Sequence, residues 1–386
     1  MLTKQGIHYC GYIDWKLRNF HGYSTPHGSS YNSYLIVDEK KVLIDTVKKI
    51  GFDEMLNKIS SVINPKDLDY IVINHAEMDH SGSVFRLTKI APKAKIVTNL
   101  ICQKHLRLQM HQDASWHLVK DGDELKIGKR TLKFITSPMV HWPDNMLTYS
   151  QYDKILFSND AFGQHFASKE RFIDEVDVEV LKKEVAKYYA NIVLPYGGQV
   201  QKLAEKLKNL DIDMVLPAHG VAWRQKDQIR ELISNYLRWS KNETNKKVVV
   251  AYDSMWKSTE IIAKRIVAQL KKIKIKHKVF NLQNEHISDV MTELLDAKYL
   301  FLGSPIMNSQ ILPTVAAFLI YLKGLKPQNR KALTFGSYGW GKVGFKFMEI
   351  VLTESGFELI KEGIYSQFVP DEAWLKDNVD NLVDIF

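Results

Sequence analysis

The segment His75-Ala76-Glu77-Met78-Asp79-His80 places four potential metal ligands within six residues. It follows the apolar, β-branched run 68–74, which is typical of a buried strand, and precedes Ser81-Gly82-Ser83, which predicts the start of a helix. Two imidazoles and two carboxylates are costly to bury on one loop unless they are paired or bind a metal. The segment therefore predicts a metal site at the end of a strand. The competing interpretation is a polar surface loop.

Three more ligand-type residues, His141, Asp160 and His219, also follow apolar runs. Each alone is more typical of a satisfied core histidine or a capping aspartate. Together with the first segment they provide seven nitrogen and oxygen ligands, enough for two metal ions that share a carboxylate. The two cysteines, Cys10 and Cys102, are far apart, which argues against a disulfide framework and against a thiolate metal site.

The pattern of apolar runs predicts two α/β domains. Paired strand runs near the N-terminus are followed by alternating strands and helices, as in a sheet covered by helices. The polar stretch 240–247 has no apolar periodicity and predicts a linker. We therefore expect domains over residues 1–243 and 248–386, the second beginning with a strand over 247–252.

Three loops of the second domain predict a ligand crevice. The hydroxyl-rich loop 253–259 precedes a helix, and a helix N-terminus is a favourable place for a phosphate, although an ordinary helix cap would look the same. The loops 303–309 and 336–342 also follow strands, and they bring glycine and aromatic residues suited to a flat ring. Loops at the carboxyl ends of parallel strands form such a crevice.

The composition is that of an ordinary globular protein, with 45% hydrophobic and 25% charged residues among 386. No apolar run is as long as a membrane span, and the first residues lack a signal-peptide core, so we expect a cytoplasmic protein without membrane association. The net charge of +9 suits an acidic partner, or reflects a solvated lysine-rich surface. The basic residues are scattered, which argues against nucleic-acid binding.

Seven motifs occur in order along the chain: HAEMDH (75–80), HWPDNM (141–146), NDAFGQH (159–165), PAHG (217–220), YDSMWKST (252–259), GSPIMN (303–308) and FGSYGWG (335–341). With these motifs the chain resembles the flavodiiron proteins, also called A-type flavoproteins, over essentially its whole length. The resemblance implies an N-terminal αββα metallo-β-lactamase-like sandwich that carries a non-haem diiron site. It further implies a C-terminal flavodoxin-like doubly wound parallel sheet that carries FMN.

The resemblance implies two non-haem iron ions per subunit, held by seven side chains. These are His75, Glu77 and His141 for one iron, Asp79, His80 and His219 for the other, and Asp160 as the bridge. In some family members the histidine that matches His80 turns away from the metal. His21 and Tyr188 match positions near the open face of the diiron site in relatives, and are the catalytic candidates.

The resemblance also implies the FMN-binding residues, which lie on the three loops of the second domain. They are Ser254, Met255, Trp256, Ser258, Thr259, Pro305, Ile306, Asn308, Ser337, Tyr338, Gly339, Trp340 and Gly341. Three positions depart from the family pattern. Lys257 stands where relatives often carry glycine, Ile306 where threonine is common, and Lys342 where relatives tend to have small residues.

The ligand types favour redox chemistry. Hydrolases of the metallo-β-lactamase fold typically have a histidine at the position of Glu77, and the extra carboxylate favours iron over redox-inactive zinc. Reduction of dioxygen to water needs four electrons, and FMN can link a one-electron carrier to a metal pair. We therefore expect a reductase that passes electrons through FMN to the diiron site and reduces dioxygen to water, nitric oxide to nitrous oxide, or both.

Two alternative functions remain at this point. One is a zinc-dependent hydrolase with an appended flavodoxin domain, and the other is an electron-transfer flavoprotein with a structural metal site. For the reductase, the resemblance implies an external donor, either rubredoxin or the reduced deazaflavin cofactor used by relatives in methanogens. It also implies a head-to-tail homodimer or a dimer of dimers. The sequence does not choose between dioxygen and nitric oxide.

Overall fold

The computed structural model describes residues 6–385 and divides the chain into two units. The first unit contains the residues up to His21, Thr25–Tyr188 and Gly198–Leu237. The second contains Gly22–Ser24, Tyr189–Gly197 and the residues from Arg238 onwards. The domain boundary between residues 243 and 248 stays a prediction.

The elements of the chain up to residue 240 are mostly short strands and helices. In chain order they are β1 (Ile7–Tyr9), β2 (Tyr12–Asp14), β3 (Asn19–Phe20), β4 (Tyr23–Ser24), β5 (Ser29–Tyr31), β6 (Tyr34–Val37), β7 (Lys41–Ile44), α1 (Phe52–Ser60), β8 (Tyr70–Val72), α2 (Met78–Ser81), α3 (Val84–Ile90), β9 (Lys95–Thr98), α4 (Leu100–Met110), β10 (Trp116–Leu118), β11 (Glu124–Lys126), β12 (Thr131–Thr136), β13 (Met146–Ser150), β14 (Ile155–Asn159), α5 (Val178–Tyr188), α6 (Gly197–Leu207), β15 (Met214–Pro217) and α7 (Lys226–Ser240).

The first unit contains two sheets that pack face to face. One sheet has the order β1-β6-β7-β8-β9-β10 and the other the order β11-β12-β13-β14-β15. Buried residues of both sheets, such as Ile44 and Phe134, form one core between them. The opposite face of the first sheet packs on apolar residues of helices, including Phe52 and Leu106. This layering agrees with the predicted αββα sandwich.

The predicted ligands follow strands whose carboxyl ends lie side by side. β7, β8 and β9 are parallel neighbours in the first sheet. In the second sheet β14 runs parallel to β15, with Ile155 beside Met214 and Phe157 beside Leu216. Residues that follow parallel strands emerge at the same edge of a sheet, and here the edges of both sheets carry ligands.

The first motif differs from the prediction in one respect. The sequence analysis places the helix start at Ser81, whereas α2 begins at Met78, inside the motif. The single helical turn exposes half of Met78 and buries Asp79 and His80. The motif is therefore a short loop over residues 75–77 followed by a helical turn, and not a loop throughout.

A buried carboxylate joins the two sheets beneath the metal motifs. Asp45, which follows β7, accepts hydrogen bonds from the backbone N–H and the side-chain amide of Asn74, at 2.8 and 2.9 Å. The side chain of Asn159, at the end of β14, lies 3.4 Å from the same carboxylate. In turn Asn74 accepts a hydrogen bond of 2.8 Å from Thr148 of β13. All four side chains are buried, so this network fixes both sheet edges.

The second unit is a parallel sheet with helices. Its elements are β16 (Asn245–Tyr252), α8 (Ser258–Lys272), β17 (His277–Asn281), α9 (Ile287–Leu294), β18 (Ala297–Met307), β19 (Gln310–Ile311), α10 (Pro313–Leu325), β20 (Arg330–Tyr338), α11 (Gly344–Glu354), β21 (Phe357–Leu359), β22 (Ile364–Gln367) and α12 (Glu372–Asn378). The strand order β17-β16-β18-β20-β21 is the 2-1-3-4-5 order of flavodoxin-like sheets. The last six residues of β16 are all buried, as expected for a central parallel strand.

The predicted linker 240–247 is shorter than expected, because α7 continues to Ser240 and β16 begins at Asn245. The polar start of this strand is compensated by charge pairing. Lys247 is buried, and its ammonium group lies 2.7 Å from Glu293 and 2.8 Å from Asp296. Within residues 6–385, no helix has both the length and the apolar character needed to cross a bilayer.

We expect Asp45→Ala to lower the free energy of unfolding by about 3 kcal/mol, because it leaves the buried amides of Asn74 without their acceptor. Asp53→Ala is the control, because its carboxylate is exposed and pairs with the exposed Arg86, so its loss costs below about 0.5 kcal/mol. Chemical denaturation followed by circular dichroism measures both. Equal stability of the two variants would contradict the importance of the buried network.

Candidate metal centre and cofactor pocket

Four of the predicted metal ligands form one group. The Nε2 atoms of His75 and His141 both lie 3.3 Å from Oε2 of Glu77. The same two atoms lie 3.7 and 3.5 Å from Oδ2 of Asp160. Nitrogen and oxygen atoms of four side chains thus converge at one point.

The other three ligands form a second group beside the first. Nε2 of His219 lies 3.3 Å from Oδ2 of Asp79, and Nε2 of His80 lies 3.3 Å from Oδ1 of Asp79. Oδ1 of Asp160 lies 3.1 Å from His80 and 3.3 Å from His219. Asp160 therefore directs one carboxylate oxygen into each group. In this structure the imidazole of His80 points into the second group and not away from it.

The unpartnered polar atoms of this cluster fit a bound metal. Both carboxylate oxygens of Asp79, both ring nitrogens of His80 and Oδ2 of Asp160 are buried and have no hydrogen-bond partner among the described residues. Leaving buried polar and charged atoms unpaired is costly, and metal coordination removes that cost. Imidazole nitrogen and carboxylate oxygen are the donor types that suit non-haem iron.

Hydrogen bonds on the outer side of two histidines fix their orientation. Nδ1 of His75 donates to Asp144 at 3.1 Å, and Nδ1 of His219 donates to the backbone oxygen of Ser30 at 2.8 Å. Each Nε2 therefore faces the cluster, where it can bind a metal once its proton is displaced. Asp144 lies inside the HWPDNM motif, but the sequence analysis did not select it, because the motif alone does not say which side chain supports a ligand.

The charges of the cluster favour a cation. Burial lowers the pKa of His75 and His219, but the facing carboxylates outweigh burial and raise the pKa of both residues to about 10. Burial likewise opposes ionisation of Glu77, yet contacts with His141, His21 and His75 hold its pKa well below the usual range. This excess of negative potential attracts a divalent ion in the same way as it attracts protons.

The two catalytic candidates both contact the cluster. The hydroxyl of Tyr188 donates to Oδ1 of Asp160 at 3.0 Å, and burial together with that carboxylate raises the pKa of the phenol well above its usual value. Nε2 of His21 lies 3.0 Å from Oε1 of Glu77, and the imidazole is 71% exposed. Tyr188 thus remains protonated beneath the cluster, and His21 stands at its entrance.

A cavity of about 560 Å³ opens onto the cluster. Its lining consists of Phe20, His21, Lys48, Glu77, Met78, Asp79, Gln109, His141 and Trp142. The lining residues that the sequence did not predict are Phe20, Lys48, Met78, Gln109 and Trp142. Lys48 and Gln109 come from segments without any ligand-type pattern, so local sequence carries no signal for them.

The second unit has a pocket of about 660 Å³ at the carboxyl ends of its strands. It brings together most of the predicted FMN-binding residues: Met255, Trp256, Ser258, Pro305, Ile306, Asn308, Ser337, Tyr338, Gly339, Trp340 and Gly341. The volume and the aromatic lining fit a flat cofactor ring. The N-terminus of the 15-residue helix α8 borders the pocket at Ser258 and suits a phosphate.

Two predicted residues lie behind this pocket instead of lining it. The hydroxyl of Ser254 accepts a hydrogen bond of 3.3 Å from the backbone N–H of Glu260, at the start of α8. Thr259 is fully buried, and its hydroxyl lies 3.0 Å from that of Ser337. Both residues therefore support the loops and do not face the cavity.

Three lining residues were missed: Ser309, Phe368 and Val369. Phe368 and Val369 directly follow β22, which runs parallel to β20, so they form a fourth loop at the same sheet edge. The signal in the sequence was the apolar pair Phe368-Val369 directly after a strand. In the structure these two residues are 61% and 64% exposed.

The fold and the two sites define a two-unit flavoprotein with a carboxylate-rich metal centre. Comparison with known families agrees: residues 30–220 match the ODP family beta lactamase and residues 250–380 match flavodoxin. The chain is 41% identical to the nitric oxide reductase of Moorella thermoacetica over 95% of this chain and 92% of that relative.

Solved structures give the same result. The rubredoxin oxygen:oxidoreductase of Desulfovibrio gigas matches with a TM-score of 0.95 and 38% identity, over 99% of this chain and 98% of that chain. The flavodiiron protein of Giardia intestinalis matches with a TM-score of 0.95 and 36% identity, over 98% and 94% of the two chains. The chain belongs to the flavodiiron protein family.

Membership in this family confirms the predicted fold class, enzyme class and cofactors. The protein is an oxidoreductase whose cofactors are FMN and a non-haem iron pair. The zinc hydrolase with an appended flavodoxin domain is not supported, because the relatives that match nearly the whole chain are reductases and oxidoreductases.

Lys257, which departs from the family pattern, has a φ of 67°, a conformation that favours glycine. We therefore expect Lys257→Gly to raise the free energy of unfolding of the second unit by about 0.5–1 kcal/mol. The matched control is Lys264→Gly on the exposed face of α8, which removes a good helix former and lowers stability by about 1 kcal/mol. Thermal unfolding measures both, and changes of the same sign would contradict the assignment of strain.

Proposed function

We propose that this protein reduces dioxygen to water, nitric oxide to nitrous oxide, or both, with electrons that reach the diiron centre through FMN. The observation that carries the proposal is the carboxylate of Asp160, which directs one oxygen into each of two adjacent ligand groups. The names of relatives support the two substrates. One relative, at 40% identity, is named a rubredoxin-oxygen oxidoreductase, and others, at 37–41% identity, are named nitric oxide reductases.

We further propose which side chains hold the metals. His75, Glu77 and His141 would hold one iron, Asp79, His80 and His219 the other, and Asp160 would bridge them. The support is the convergence of their Nε2 and carboxylate atoms at 3.1–3.7 Å. The buried, unpartnered atoms of Asp79 and His80 add to it.

When bound, the iron pair would supply two electrons, which is the number needed to convert two nitric oxide molecules to nitrous oxide, and the reduced flavin would supply the two more that dioxygen needs to reach water. The chain's own residues orient this centre. Tyr188 holds Oδ1 of Asp160, and His21 holds Oε1 of Glu77, so that Oε2 stays directed at His75 and His141. The indole of Trp142 lies 4.9 Å from the ring of His75 and packs edge-on against it.

For FMN we propose the pocket of the second unit as the binding site. Ser258, at the first turn of α8, is placed to bind the phosphate, and the loop residues Tyr338–Gly341 are placed to contact the ring. The indoles of Trp256 and Trp340 are 82% and 96% exposed at the rim of the pocket. Exposed indoles of this kind are available to cover a bound ring.

The donor and the assembly are also proposals. The net charge of +9 and the name of the rubredoxin-oxygen oxidoreductase support a small acidic rubredoxin as donor, with a reduced deazaflavin as the second candidate.

Exposed apolar residues beside the flavin pocket, Trp340, Val343, Phe368 and Val369, suit the interface of a head-to-tail homodimer or dimer of dimers. The two free, buried thiols suit a cytoplasmic location.

We expect the anaerobically purified protein to contain two irons and one FMN per chain and to consume dioxygen or nitric oxide when reduced. Asp160→Ala removes the bridging carboxylate, so its iron content and turnover should fall by about 100-fold or more, with FMN content unchanged. Metal analysis and gas consumption measure these outcomes. Zinc in place of iron, or full turnover in Asp160→Ala, would contradict the proposed function.

The flavin site is tested by FMN titration, followed by flavin fluorescence. Trp340→Ala should weaken binding of FMN and of riboflavin by about tenfold, because both contain the ring that the indole covers. Ser258→Ala should weaken FMN binding and leave riboflavin binding unchanged, because only FMN carries the phosphate. Trp15→Ala, a half-exposed tryptophan of the first unit, is the control. Unchanged FMN affinity in both pocket variants would exclude this pocket.

A further inference from the structure

Asp144 is a fully buried carboxylate that no lysine or arginine of the described chain neutralises. Its Oδ2 accepts a hydrogen bond of 2.7 Å from the backbone N–H of Ala76 and one of 3.1 Å from Nδ1 of His75. Its Oδ1 is also buried and has no hydrogen-bond partner within residues 6–385. Burying a carboxylate with one oxygen that accepts no hydrogen bond is costly in free energy. This oxygen therefore needs a hydrogen-bond donor.

His105 of α4 faces this oxygen, and the buried thiol of Cys102 also lies close to the Asp144 carboxylate. Its Nδ1 lies 3.3 Å from Oδ1 of Asp144, and this nitrogen is likewise buried and without a hydrogen bond among the described residues. The His105 imidazole is 29% exposed, so it lies between the buried carboxylate and solvent. The Trp142 ring is 6.4 Å from the His105 ring and 4.9 Å from the His75 ring.

The N-cap of α4 fixes the position of His105 relative to Asp144. The side chain of Asn99 caps this helix by accepting from the backbone N–H groups of Ile101 and Cys102, at 3.0 Å each. The same side chain donates to the backbone oxygen of Asp144 at 2.7 Å. Cys102 is buried three residues before His105, on the same face of the helix. One residue thus ties the helix to the chain segment that carries the carboxylate.

We propose that His105 is a positioning residue of the diiron centre, which acts through Asp144 on the iron ligand His75. A donor on Oδ1 keeps the carboxylate from turning and so keeps Oδ2 on Nδ1 of His75. Outer partners of metal-bound histidines hold the ring and increase its electron donation to the metal. This inference rests on the proposed function, because it needs iron at His75.

The test compares iron retention in His105→Leu, His105→Gln and the control His117→Gln. The control histidine, on β10, makes a ring contact with Tyr70 and has no contact with this network. His105→Leu should release iron to a chelator about tenfold faster than wild type. It should also raise the midpoint potential of the iron pair in an EPR-monitored titration. The reason is that a His75 ring without a fixed orientation donates less electron density and stabilises ferric iron less. His105→Gln keeps an amide donor and should stay within about threefold of wild type.

A second variant separates positioning from a loss of folding. Asp144→Asn removes the charge through which His105 acts, so His105→Leu should cause no further change of potential or iron release in that background. Additive effects in this double-mutant cycle would overturn the inference. So would unchanged iron release and potential in His105→Leu. A wild-type protein that binds no iron would instead overturn the proposed function, and the inference with it.

Discussion

The buried carboxylate of Asp45 is the interaction on which the first unit depends. It holds Asn74 directly in front of the first metal motif and reaches Asn159 directly in front of Asp160. Because Asn74 follows β8 of the first sheet and Asn159 ends β14 of the second, one side chain connects the two sheet edges. His75 directly follows Asn74 and Asp160 directly follows Asn159, so the approach of these two proposed ligands depends on this polar network as well as on the apolar core between the sheets.

Within the cluster, two features decide the chemistry. Glu77 replaces the histidine typical of hydrolases of this fold, and Asp160 offers an oxygen to each ligand group. The first makes the ligand set richer in hard oxygen donors, which favours iron. The second allows two ions to share a carboxylate, which brings them close enough to act on one small molecule. The arrangement thereby explains why the same fold serves hydrolysis in some proteins and reduction in this family.

Most of the fold and the convergence of the proposed metal ligands could be predicted because their signals are local. His75, Asp160 and His219 each follow an apolar run, and parallel strands bring such positions together without further information. Residues that contribute through tertiary contact gave no such signal. Asp144 and His105 lie far apart in sequence and meet through tertiary contacts, one of which is the hydrogen bond by which Asn99 joins α4 to the HWPDNM segment. Lys48 and Gln109 reach the cavity in the same way, and the helical turn at Met78 was hidden by the ligand spacing.

The proposed metal ligands come from separate segments between residues 75 and 219, and these segments follow strands of both sheets of the first unit. A metal held by all of them acts as a crosslink, since coordination free energy is gained only when the sheets are correctly packed. The supply of iron in the cell therefore bears on how long the polypeptide survives, as well as on its catalytic state. A chain made under iron limitation would open more often at this edge and would be degraded faster by proteases.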